Sequence, residues 1–407
     1  MKPALGILLS IVTLDAIGIG IVFPVLPGLL RELSGTGQIA VDYGVLLTLY
    51  ALAQFLCSPV LGGLSDRFGR RPVLLLSLAG AAIDYGVMAC APTLWLLFVG
   101  RLLAGVTGAN MVVATATIAD LSSNAQRARH YGYLHACIGL GLVVGPALGG
   151  LLGQVSLRYP FMLAALLNLL VLAFAWRVLP ESNHQRSRQT LAWRDIHPFD
   201  MLRGEPRRLV PGPVLAVIGL IALAGVIPHS LWAIYGESRF DWDPRTLGLS
   251  LALLGLLHAL VQSLALGRVV AWLGERRAAM AGLCIEMLGY VAMALVTRGW
   301  MVFAVIPLLV AGGIAMPTLQ ALLSRRVPQY RQGQLQGLVI SIETGAGAIG
   351  PIVASTLYAL SYASWTGWVW LLGALLSFVS MMALSISLRT HAIQENVATD
   401  RPIRQES

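Results

Sequence analysis

Apolar stretches of membrane-crossing length recur along this chain, near residues 5–27, 43–64, 73–91, 94–119, 131–153, 161–179, 211–235, 246–267, 278–297, 300–323, 334–360 and 367–388. A helix needs about 20 apolar residues to cross the hydrocarbon layer of a bilayer, so the pattern predicts twelve crossings. Only 12% of the 407 residues are charged, about half of what a soluble domain carries. A soluble fold is thereby excluded. The net charge of +9 does not point to nucleic acid, because it sits in the connections between apolar stretches. The first stretch follows Lys2, but it is long for a secretory leader, contains Asp15 and leads to no small-residue cleavage site. It reads as the first span.

The basic residues set the expected orientation. With the amino terminus in the cytosol, Arg31, Arg158, Arg239, Arg245 and Arg298 fall on the outer face and Arg101 inside a span. The rest of the 28 Lys and Arg fall in cytosolic connections or tails. That is the positive-inside distribution, and an even number of crossings brings the carboxyl terminus back to the cytosol. Residues 180–210 are polar, rich in Arg and Ser, and interrupted by Pro180, Pro198 and Pro206. They read as a cytosolic linker between a six-helix bundle at 1–179 and a second at 211–390, with a cytosolic tail at 391–407.

The two halves align at one offset of 205 residues. Gly62 meets Gly267, Gly69 meets Gly274, Arg71 meets Arg276, Tyr85 meets Tyr290 and Trp95 meets Trp300. Farther on, Gly108 meets Gly313 and Gly145-Pro146 meets Gly350-Pro351. Parallel six-span repeats related by an axis along the membrane normal are the layout of major facilitator transporters. The expected fold is therefore all-α and transmembrane, with twelve helices in two six-helix halves about a pseudo-two-fold axis. The charged hairpin Gly62–Pro72 is weakened in the second copy, where Ala271 stands in place of Asp66.

Several groups point to function. Asp15, Asp84, Arg101, Glu286 and Glu343 all fall at depth within spans. Left unpaired, they would cost on the order of 15 kcal/mol together. One arginine cannot neutralise four acids, and a carboxyl that alternates between protonated and ionised inside a membrane protein carries protons. These five, with His258 at mid-span, are the candidates for proton coupling. A fixed pair of Asp15 with Arg101, or a plain cavity-lining role for Glu343, are the structural alternatives. Gln54, Asn110, Gln262 and Gln320, again with His258, are candidates to hydrogen-bond a substrate or to hold helices together. The gating candidates are Gly62, Asp66, Arg67, Gly69, Arg70, Arg71 and Asp120 on the cytosolic side, and Gly141, Gly145 and Pro146 in span 5. Asp66, Arg70 and Asp120 are expected to form a charge latch. Gly141, Gly145 and Gly149 recur every four residues and leave a bare helix face, either a tight helix pair or a seal between the halves.

The motifs resemble those of a known family. Gly62-Gly-Leu-Ser-Asp-Arg-Phe-Gly-Arg-Arg-Pro72 is similar to the signature between spans 2 and 3 of major facilitator transporters. Gly141-x3-Gly145-Pro146-x2-Gly149-Gly150 resembles the span-5 signature of their drug/proton antiporters. Over nearly its whole length the chain resembles the tetracycline efflux pumps of Gram-negative bacteria, through stretches such as Leu14-Asp-Ala-Ile-Gly-Ile-Gly20, Ala79-Gly-Ala-Ala-Ile-Asp-Tyr85 and Gln332-Gly-Gln-Leu-Gln-Gly337. The resemblance implies export of a tetracycline, as its complex with a divalent cation such as magnesium, in exchange for protons. It implies coupling roles for Asp15, Asp84 and Glu286, gating by Asp66, and substrate or proton handling by Gln54 and His258. It also implies the cell inner membrane, a monomer, no cofactor and no resident metal. The departures are Glu286 for an aspartate, Asn110-Met111 after Gly108, a span 7 with Pro228-His229 in place of glutamines, and Glu343 for a hydroxyl residue.

Two other classes remain. One is a proton-coupled exporter or symporter of another small molecule, or of several drugs, on the same fold. The other is a polytopic enzyme, for which there is little support: no His-Glu-x-x-His, no phosphate-binding loop and no ligand spacing among Cys57, Cys90, Cys137 and Cys284.

Overall fold

The computed structural model describes residues 3–34, 39–108, 110–122, 124–182, 210, 212–325, 327 and 332–399. No strand occurs among them. Eleven helical stretches are long and apolar enough to cross a membrane, and one of these, Pro244–Leu295, is 52 residues long. It contains two crossings, divided at Gly274, whose φ of 76° breaks the helix. The described residues thus make the twelve expected crossings. Spans 1 to 6 are Pro3–Val22, Ile39–Phe68, Arg70–Cys90, Leu94–Leu121, Asn124–Gly153 and Tyr159–Val178. Span 7 is Gly212–Phe240, spans 8 and 9 share Pro244–Leu295, span 10 is Gly299–Ser324, span 11 is Gln332–Ser361 and span 12 is Trp368–Thr399. The helix of span 12 runs nine residues past the expected start of the tail at 391. The expected linker at 180–210 lies almost wholly outside the described residues, as does the end of the tail.

Three cores hold the molecule together. One draws on both halves, with Leu29, Tyr43 and Met88 from the first and Leu231, Tyr235 and Trp370 from the second. These residues lie toward the face opposite the termini, the far face. The other two cores lie toward the terminal face, and each belongs to one half. Leu8, Leu74, Ile118 and Ala175 are in the first, and Val217, Ala279, Leu323 and Leu338 in the second. The halves are therefore packed together at the far face and separate toward the termini.

The far-face seam is built by repeat-related contacts. Gly145 faces span 1, where an added Cβ would lie 2.8 Å from the Gly20 Cα. Gly141 and Gly149 likewise face Ala16 and Ile21 of span 1. The four-residue glycine face is thus a tight pair within the first half. The contact between halves lies one step around the same helix. The Pro146 carbonyl and the Gly150 Cα meet Gly248 of span 8. A proline leaves the carbonyl four residues before it without an intrahelical partner and bends the helix, and small residues let the neighbouring backbone come close. In the second half, Gly350 faces Val226 of span 7, while the Pro351 carbonyl and Ser355 meet Gly44 of span 2.

Polar groups tie the same seam at the far face. Arg31 pairs with Glu237 at 3.2 Å, and Gln154 donates to Asp243 at 3.1 Å. Asp243 also caps the start of span 8 by accepting from the Thr246 backbone N–H. That hydrogen bonding keeps its carboxyl below the usual carboxylate range.

A larger side chain at Gly248 has no room to avoid the span 5 backbone. Gly248→Leu is expected to weaken the closed far face by ~1–3 kcal/mol, the usual cost of overpacking. The check is Ser355→Cys, buried beside Gly44, in a protein whose four native cysteines are serines. A water-soluble maleimide should label it at least severalfold faster when Gly248→Leu is present.

Candidate functional site

Asp15, Gln54, Asp84, Arg101 and Asn110 come together in the first half, around a cavity of about 150 Å³ also lined by Tyr50 and Tyr85. Span 3 supplies Asp84, and span 4 supplies Arg101. Arg101 donates through Nη2 to Asp84 Oδ2 and lies 5.6 Å and 5.7 Å from the ring centres of Tyr50 and Tyr85. Both partners are buried, and a buried charge is tolerable only when paired. The arginine therefore belongs to Asp84, and the alternative pairing with Asp15 is not made. Asp15 instead shares a side-chain hydrogen bond with Asn110.

A second cavity, of about 390 Å³, lies in the second half and is lined by His229, Trp232, His258, Glu286, Tyr290 and Glu343 among others. Glu286 is buried and accepts from Ser377 at 3.0 Å. Glu343 accepts from Gln320 at 3.2 Å. Neither carboxylate has a cationic partner among the described residues. The five ionisable groups at depth are thus divided between two lobes, each lined by one half.

Spans 4 and 10 are both broken, at Gly108 and Gly313, the two positions paired by the repeat. A break frees backbone carbonyls that hydrocarbon cannot satisfy, at a cost of several kcal/mol each. Gln54 of span 2 donates to the Gly108 carbonyl at 3.1 Å, and Gln262 of span 8 donates to the Gly313 carbonyl at 3.3 Å. Gln262 itself sits in a π-helical turn, Val261–Ala265. The amide N–H groups of these two glutamines are therefore engaged in capping. Gln54 still borders the first lobe.

At the terminal face Arg70 stands between two acids, with Nη1 2.6 Å from Asp66 and Nε 3.0 Å from Asp120. It also donates to Ser65 at 2.6 Å. Gly69, at φ 111°, turns the chain into span 3, where a side chain would be strained. Arg67 lies over the Phe68 ring at 5.4 Å, and Gly62 faces Val112 of span 4. Arg71 donates to the Trp176 carbonyl. Two partners escaped the sequence reading. Glu181, just past span 6, accepts from the backbone N–H of Arg70 at 2.9 Å and of Arg71 at 3.2 Å. It neutralises the positive end of the span 3 helix. In the second half Glu275 pairs with Arg325 at 2.9 Å. At the 205-residue offset these are the counterparts of Arg70 and Asp120, so the ion pair recurs with its signs exchanged. The offset itself could have revealed it.

The Major Facilitator Superfamily model matches residues 8–351 and 214–405. The chain belongs to the Major Facilitator Superfamily. It is 49% identical to the class C tetracycline resistance protein of Escherichia coli, over 94% of this chain and 96% of that one. It is 47% identical to the class G protein of Vibrio anguillarum, over 94% and 98%. Among solved structures, a peptide transporter in complex with sulfate superposes with a TM-score of 0.78 at 15% identity, covering 95% of this chain and 94% of that one. The human organic anion transporter superposes at 0.70 with 24% identity, covering 94% and 100%. These two are likenesses of fold.

Two outcomes follow for the caps and the ion pairs. Gln54→Leu and Gln262→Leu should each lower thermal stability in detergent, because a buried carbonyl loses its donor at a cost of ~1–3 kcal/mol. Exchanging the pair as Glu275→Arg with Arg325→Glu should restore transport lost in Glu275→Arg alone, with a coupling energy of ~0.5–1 kcal/mol for a pair in which Arg325 is exposed and Glu275 largely covered. A double-mutant cycle on initial rates and melting temperature measures it.

Proposed function

We propose that this chain is a proton-coupled antiporter of the inner membrane that exports a tetracycline, as its complex with a divalent cation such as magnesium, in exchange for protons. The reading is carried by one observation. Arg101 is committed to Asp84, while among the described residues Asp15, Glu286 and Glu343 have only neutral hydrogen-bond partners: Asn110, Ser377 and Gln320. A carboxylate at depth that lacks a fixed counter-charge is cheapest when it holds a proton or meets a cation. Ligand entering from the terminal face, where the halves are apart, displaces protons from Asp15 and Glu286. Protonation from the outer side then returns the empty carrier. The relatives' names as tetracycline resistance proteins support the choice of substrate.

On this reading the terminal face is cytosolic, as the basic residues favour, and the protein works as a monomer. The Asp66–Arg70–Asp120 cluster holds the first half rigid in the open state. The Gly248 and Gly44 seams close the outer face. A wider substrate range on the same mechanism is the second reading, and the largely apolar lobe around Glu343 favours it.

Everted vesicles test the mechanism. Tetracycline uptake should collapse when a protonophore removes the pH gradient, and Asp15→Asn should abolish gradient-driven uptake at unchanged protein level. Uptake against a concentration gradient that continues without a proton gradient would sink the proposal. A susceptibility panel of tetracyclines and unrelated cationic drugs, in a host lacking other pumps, separates the two substrate readings.

A further inference from the structure

Glu343 differs from the other acids at depth in how it is held. It lies on span 11, half-buried at the wall of the larger lobe. Gln320 of span 10 fixes its Oε1, and no hydrogen bond to its Oε2 is present among the described residues. Glu286, in contrast, is buried behind Ser377 on span 12. The titratable groups that share the lobe with Glu343 are Glu286, His229, His258 and Tyr290, and among the described residues no Lys or Arg lines it. His229 is held through Nδ1 by the Gly225 carbonyl at 2.8 Å.

The rest of the wall is apolar, with Leu251, Leu254 and Met316, and two pinned aromatic rings. Trp232 is fixed by Ser250 at 2.9 Å and Tyr290 by the Ala224 carbonyl at 2.7 Å. Such rings add to the attraction for a cation. About 390 Å³ falls in the range of pockets that take drug-sized ligands. The other lobe is smaller, at about 150 Å³, and its Asp84 carboxylate is already taken up by the Arg101 guanidinium.

We propose that Glu343, positioned by Gln320, anchors the ammonium group of the substrate, so that the second-half lobe takes molecules with a rigid apolar body and a cationic amine. The inference rests on the export reading and names the part of the ligand that this side chain recognises. Asp15 and Glu286 are left to proton exchange, and Glu343, in the lobe without a fixed cation, takes the positively charged cargo. An isolated carboxylate of this kind gains a charge-assisted hydrogen bond from an ammonium group. A neutral glutamine of the same shape does not.

The test uses the full chain in proteoliposomes under an imposed pH gradient, with tetracycline and its 4-dedimethylamino analogue as substrates. Glu343→Gln should raise the tetracycline KM about tenfold, the equivalent of one such interaction, with the proton-to-drug ratio unchanged. Glu343→Asp should give an intermediate KM, which keeps the test open should Glu343→Gln fold poorly. The analogue's KM should differ less than twofold among the three proteins. Equal KM changes for both compounds, or a proton-to-drug ratio that falls in Glu343→Gln, would overturn the anchor role. If wild-type protein moves neither compound under the gradient, the export reading fails. Binding of protonated N,N-dimethylbenzylamine in detergent then decides the anchor separately: loss in Glu343→Gln supports it, and equal binding to wild type and variant refutes it.

Discussion

Hydrocarbon offers no partner to a carbonyl, an amide or a carboxylate, and most of this structure is arranged around that deficiency. Where a helix must break at depth, at Gly108 or Gly313, a glutamine from a neighbouring span supplies the missing donor. Where a cation is placed at depth, as Arg101 is, an acid and two aromatic faces surround it. The groups for which no such provision is made, Asp15, Glu286 and Glu343, are then conspicuous. They border cavities, and their partners are neutral. The same rule that makes the scaffold rigid thereby marks which side chains have latitude to change protonation state.

The internal repeat shows which features the architecture needs. Positive φ recurs at Gly69 and Gly274 even though the hairpin sequences differ. The Gly-Pro step recurs in spans 5 and 11, and in both the glycine faces its own half while the proline carbonyl meets a glycine of the other. The acids at depth do not recur at the offset. Backbone devices that build the fold are duplicated, whereas the chemistry is divided, with Asp15 and the Asp84–Arg101 pair in one lobe and Glu286 and Glu343 in the other.

Much of this was legible in the sequence. Hydropathy located every crossing, because a helix in lipid must be apolar along its whole length. The spacing of charges joined Asp66, Arg70 and Asp120 correctly, because the three lie at the same membrane depth. Depth does not reveal rotation about a helix axis, however. That is why the sequence offers Asp15 as the fixed partner of Arg101 where the structure has Asp84, and why the face of Gly141, Gly145 and Gly149 could not be assigned to span 1 or to the other half. Gln54 and Gln262 read as substrate ligands or helix contacts until the breaks beside them were visible. Glu181 gave no signal at all, since it lies at the edge of a polar stretch and acts on backbone N–H groups of a distant span.

The exchanged signs of the two terminal-face ion pairs have a further effect. The pseudo-two-fold axis relates Arg70 to Glu275 and Asp120 to Arg325. Wherever a residue lies against its own counterpart across such an axis, an exact duplicate would set like charges together, and here the two charges are unlike.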